Sequence, residues 1–215
     1  MGKKGDNIFA RLAKRWFIDA FSAMALGVFA TLLIGTIIGQ IGSWTGVEFF
    51  TRLSNYAKNG YVVGGAIGVA IATGLKAKPL VIFSAAVCGA VGYVEGGGPI
   101  GAYLAALVGA ELSQLIAGKT RFDILLVPSV SLITGGAVGI FTGPYIDRFC
   151  DWIGMELGAA MGLHPVLMGI IVSVVMGLAL TAPISSAAIS VVVFDASLFT
   201  EGSSIALAAG VATVG

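Results

Sequence analysis

An all-α, polytopic transmembrane bundle with broken or re-entrant helices is the fold class this sequence predicts, and three observations carry the prediction. The 215 residues are 57% hydrophobic and only 11% charged, with a mean hydropathy of +0.99, where a soluble domain carries about 25% charged residues. Apolar runs long enough to cross a bilayer recur along the chain and are separated by short polar or Gly/Pro breaks. Glycine is abundant, 32 residues, and many fall in small-xxx-small pairs, the pattern of close helix packing in lipid. A net charge of +1 and the lack of a long basic tract give no footprint for nucleic acid. Cys88 and Cys150 have no CxxC spacing and His164 is the single histidine, so neither a metal cluster nor a disulfide framework is expected. No HExxH, GxSxG or carboxylate pair is present. No cofactor is expected, and no catalytic constellation supports an enzyme acting on its own.

Taken in order, residues 1–15 carry Lys3, Lys4, Arg11, Lys14 and Arg15, with Ile8, Leu12 and Trp16 at a spacing of four. This predicts a short amphipathic surface helix. The first span is expected over about 18–42, followed by an interfacial helix over 43–59. A second span runs from about Tyr61 to Leu75 and is closed by Lys76 and Lys78. Pro79 opens a short third segment ending near Val94. Glu95-Gly96-Gly97-Gly98-Pro99 then forms a sharp break, so Gly96, Gly97, Gly98 and Pro99 are the candidate hinge, with a plain loop as the alternative. The fourth span covers about Ile100–Ile116 and the fifth about Ile124–Phe141. An amphipathic stretch follows over 144–163, and a sixth span over Pro165–Ala182. The last apolar run, Ile205–Gly215, has 11 residues and is too short to span, so the protein is expected to continue. The chain is read as a single transmembrane domain.

Loop charges predict orientation. With the N-terminus inside, nine of the 12 basic residues fall on the cytoplasmic side, and only Arg52, Lys58 and Arg148 fall outside. A repeat is also expected, with units of about 18–94 and 124–215. Val62, Gly65, Ile67, Pro79 and Val87 match Val166, Gly169, Ile171, Pro183 and Val191 at a constant shift of 104.

Two groups of residues are candidates for binding a small polar solute. Glu111 is ionisable inside a span, where such a group is costly and marks function by default. Gln114 lies three residues on. The structural alternative for Glu111 is pairing with Lys119 or Arg121. The second group is Thr181, Pro183, Ser185 and Ser186, where Pro183 interrupts helical bonding and two hydroxyls sit at membrane depth. Its alternative is a proline kink with serines bonded to their own helix.

The stretches GGGPIGAYLAALVGAELSQLIAGKT (96–120), HPVLMGIIVSVVMGLAL (164–180) and TAPISSAAIS (181–190) resemble the small membrane IIC-like proteins of the phosphotransferase system, the group that includes the PfoR-type regulator. The similarity runs from about residue 18 onward. The resemblance implies a permease-like domain moving a small polar solute such as a sugar, in the bacterial inner membrane and as a homodimer. The alternatives are a sensor or regulator without transport, or a channel. Phosphotransfer needs a phosphorylated Cys or His on a soluble partner domain, so separate phosphoryl-donor subunits are expected as partners beside the lipid bilayer.

Overall fold

The computed structural model describes residues 11–119 and 121–161. The expected sixth span, the Thr181–Ser186 group and residues 162–215 of the second expected repeat unit, Pro183 included, lie outside the described residues. Contacts divide the chain into two units, Met1–Ile146 and Asp147–Gly215. The first unit holds the helical bundle.

The elements are helical throughout the described residues. Helix α1 is continuous over Arg11–Thr45, α2 covers Glu48–Ala57 and α3 Gly60–Gly74. Helix α4 covers Pro79–Gly92, α5 Gly98–Ile116 and α6 Asp123–Met161. Three stretches, Arg11–Thr45, Pro79–Ile116 and Asp123–Phe149, are long and apolar enough to cross a membrane, and Gly60–Gly74 is a shorter apolar helix. The second of these is two helices, because Glu95 (φ −73°, ψ 22°) and Gly96 (φ 91°, ψ −9°) leave helical geometry between α4 and α5.

Local chemistry sets most of the boundaries. Gly46 takes the left-handed conformation (φ 69°) and ends α1, a position that favours glycine. Asn59 caps α3, its Oδ1 accepting from the Tyr61 amide at 3.0 Å. Pro79 is the first residue of α4, and Lys78 before it is extended (φ −66°, ψ 152°), as a residue preceding proline prefers. In the break between α4 and α5, Gly98 (φ 50°, ψ −147°) occupies a region essentially closed to side-chain-bearing residues. Gly97 and Pro99 are buried there.

Helices α1, α3, α4, α5 and α6 run alternately up and down. Gly27 of α1 faces Ala66 of α3, and Gly64 of α3 faces Ala90 of α4 and Tyr93 just beyond it. Gly92 of α4 faces Ala105 of α5, while Gly135 and Gly139 of α6 face Ala105 and Gly92. Each contact is so close that a Cβ added at the glycine would lie within 3 Å of a neighbour: 2.8 Å from Ala66 O for Gly27, and 2.9 Å from Gly92 Cα for Gly139. The core is therefore backbone against backbone, with Val63, Ile67, Ile71, Val81 and Cys88 filling the seams. Most hydroxyls on these helices bond to the carbonyl four residues back, among them Thr31, Thr73, Ser84 and Ser113. That satisfies them without any partner in lipid.

Two sequence expectations need correction. Residues 11–15 do not form a separate surface helix; they are the first turn of α1, which reaches about 52 Å at 1.5 Å per residue. The 144–163 stretch is likewise not separate from the fifth span, because the helix from Asp123 runs unbroken to Met161 through Pro128 and Pro144. In both places no described residue takes the positive φ seen at Gly46, Gly96, Gly98 and Gly118, so nothing there turns the helix. The expected interfacial helix is present as α2. It folds back along α1, with Gly39 facing Ser54 and Gly42 facing Thr51.

Candidate functional site

The end of the bundle that holds the N-terminal turn of α1, the α3–α4 loop and the α5–α6 loop concentrates polar side chains. Here α1 carries a π-type segment over Lys14–Ala20. Such i→i+5 turns recur at functional sites and alter the partners of backbone carbonyls. The Trp16 carbonyl accepts from the Tyr103 hydroxyl of α5 at 2.8 Å. Tyr103 in turn packs edge-on against Phe21, with centroids 5.2 Å apart.

The same turn of α1 delivers two side chains to α5. Trp16 Nε1 donates to Glu111 Oε1 at 3.2 Å. Arg15 Nη2 donates to Gln114 Oε1 at 2.9 Å and to the Leu75 carbonyl at 3.3 Å. Arg15 Nε lies 3.0 Å from Glu111 Oε1. That Nε is buried and its N–H is not aligned on the oxygen, so the contact is ionic rather than a straight hydrogen bond. The side chains of Arg15 and Glu111 retain 36% and 25% of their exposure. A pair this wet is worth about 0.2–1 kcal/mol, so its main effect is to orient the carboxylate. Among the described residues Glu111 Oε2 and the Gln114 amide nitrogen take no hydrogen bond. The cluster therefore presents an open acceptor and an open donor side by side, beside a guanidinium and an indole.

A second knot closes the same end. Lys78 Nζ donates to the Ala117 carbonyl at the C-terminus of α5 at 2.5 Å, and Asp123 accepts from the Gly118 amide. Arg15 on Leu75 and Lys78 on Ala117 thus place a cation on the terminal carbonyls of α3 and α5, the negative ends of their dipoles.

Of the sequence candidates, Glu111 and Gln114 come together, on one face of α5 one turn apart. Gly96, Gly97, Gly98 and Pro99 form the turn at the opposite end of α5, away from that pair. Thr181, Pro183, Ser185 and Ser186 lie outside the described residues. Glu111 pairs with Arg15 rather than with Lys119 or Arg121. Arg15, Trp16 and Tyr103 did not emerge from the sequence as site residues, because the pairing spans 87 to 99 residues and no local spacing reports it. Among the described residues no group of His, Cys, Asp and Glu could hold a metal ion.

The helices that are long and apolar enough to span, in alternating directions, make this a multi-pass membrane protein. No curated protein and no solved structure matches the chain. Residues 18–215 match the family model described as "Phosphotransferase system, EIIC", in agreement with the resemblance carried by 96–120 and 164–190. The chain belongs to the phosphotransferase-system EIIC family and is a membrane component of that type.

Proposed function

We propose that this chain is a permease of the IIC type that moves a small polar solute, a sugar, across the bacterial inner membrane with its N-terminus in the cytoplasm. The observation that carries the proposal is the Arg15–Glu111–Gln114 cluster with its open acceptor and donor. Sugar hydroxyls are both donors and acceptors, and a carboxylate, a carboxamide and a guanidinium match them in fixed planar geometry. An indole at the edge, Trp16, adds a flat apolar face suited to a sugar ring. In this reading Glu111 and Gln114 bind the solute at the cytoplasmic end of its path. Thr181, Pro183, Ser185 and Ser186 are the second group proposed to bind the solute. The Gly96–Pro99 turn is the hinge of the α4–α5 hairpin. The protein works as a homodimer and needs no cofactor, and separate subunits supply the phosphoryl group if uptake is coupled to phosphorylation.

Support for orientation comes from the end-to-end charge asymmetry. Arg11, Lys14, Arg15, Lys76, Lys78, Lys119 and Arg121 sit at the end that holds the cluster, whereas Tyr61, Tyr93 and Tyr145 gather toward the other. The test is uptake of labelled sugars by the complete chain in proteoliposomes, with and without phosphoryl-donor subunits. Saturable flux supports the permease, saturable binding without flux at any condition assigns the protein to sensing, and non-saturating conductance assigns it to a channel.

A further inference from the structure

The basic residues at the cluster end divide into two kinds. Arg15 and Lys78 are committed to helix ends and side chains of the bundle itself. Lys14, Lys76, Lys119 and Arg121 are exposed, and their side chains form no hydrogen bond or ion pair among the described residues. The committed pair brings the uncommitted four together. Arg15, beside Lys14, bonds Leu75, which precedes Lys76, and Lys78 bonds Ala117, two residues before Lys119. The four therefore form one arc across the α1 terminus and two loops. Acidic residues do little to neutralise it. Glu111 is held by Arg15 and Asp123 accepts from Gly118, which leaves Asp19 alone at this end among the described residues.

The arc is flanked by outward-facing apolar side chains. Phe17 is 66% exposed, Phe122 73%, Ile124 84% and Leu125 71%. Cations in a rim directly above an apolar wall match a molecule with an anionic head and an acyl tail. A soluble acidic chain would meet the rim but leave the wall uncovered.

We propose that Lys14, Lys76, Lys119 and Arg121 form a binding surface for the phosphodiester headgroups of anionic phospholipids, with the acyl chains lying against Phe17, Phe122, Ile124 and Leu125. The proposal rests on the membrane placement of the bundle and not on the solute, so a failed transport assay leaves it standing. A juxtamembrane cation attracts an anionic surface by about 1 kcal/mol, so each one removed lowers affinity for phosphatidylglycerol roughly fivefold.

The test compares the complete chain in nanodiscs of pure phosphatidylcholine and of phosphatidylcholine with phosphatidylglycerol. Thermal unfolding and the lipid retained on native mass spectrometry are both read. Phosphatidylglycerol is expected to raise the unfolding temperature of the wild type, an increment that shrinks with salt. The Lys14→Gln/Lys76→Gln/Lys119→Gln/Arg121→Gln variant should match wild type in pure phosphatidylcholine and lose the increment and the retained anionic lipid. Lys78→Met should lower stability equally in both lipids while keeping the increment. An increment absent in wild type, or kept in full by the quadruple variant, overturns the proposal. The second outcome, accompanied by lost binding to a polyglutamate probe, would assign the arc to an acidic protein partner instead.

Discussion

Gly65 and Gly68 stand less than one turn apart on α3 and should respond in opposite ways to the same substitution. A Cβ at Gly65 meets only the Ala86 carbonyl oxygen at 3.6 Å, an ordinary contact. At Gly68 it would press on the Ala85 carbonyl, with the carbonyl carbon at 2.8 Å and Ala86 Cα at 3.2 Å. These are backbone atoms of α4 and cannot swing aside. Alanine gains about 1 kcal/mol over glycine in a helix interior, and overpacking a tight contact costs about 1–3 kcal/mol. Gly65→Ala should therefore be neutral or stabilising by up to about 1 kcal/mol. Gly68→Ala, with immovable neighbours, falls at the upper end of the cost and loses about 1–2 kcal/mol net. The difference between the two variants, about 1–3 kcal/mol, is read from reversible unfolding in mixed micelles. Equal stability of the two variants would refute the backbone-to-backbone packing of α3 on α4.

The cluster end gives three further expected outcomes. Lys78→Met removes a charge-assisted bond to the Ala117 carbonyl and should cost about 1–2 kcal/mol in the same unfolding assay; a neutral result would mean that Lys78 does not cap α5. A double-mutant cycle of Arg15→Gln and Glu111→Gln should give a coupling energy of about 0.2–1 kcal/mol, and a value of zero would contradict the ion pair. Cysteines placed at Lys58 and Lys119 should label from opposite faces of the membrane, and labelling of both from one face would refute the alternating helix order.

The spans were legible because hydropathy and the punctuation by Pro79, the Glu95–Pro99 break and Lys76/Lys78 are local signals. Helix α3 ends within a residue of its expected boundary, and α4 begins at Pro79 as expected. The two merged helices were not legible. Amphipathic pattern alone suggested a change of element at Arg15 and at Pro144, but a helix continues until something in the backbone turns it. Glu111 and Gln114 were found as a costly polar pair in an apolar span. Their partners were not, because Arg15 reads in sequence as one of several topogenic cations. Only the antiparallel approach of α1 to α5 reveals it as a ligand of Leu75, Glu111 and Gln114.

Binding of the transported solute by Glu111 and Gln114 is the central claim, and concentration-dependent uptake tests it most directly. The preferred labelled sugar is offered to proteoliposomes containing wild type, Glu111→Gln, Gln114→Ala or Gly65→Ala. Uptake should be unchanged for Gly65→Ala. For the other two the half-saturating concentration should rise about 2- to 10-fold, the loss of one hydrogen bond of about 0.5–1.5 kcal/mol, with folding intact by gel filtration. Uptake indistinguishable from wild type in both variants at every sugar concentration and pH would contradict the claim.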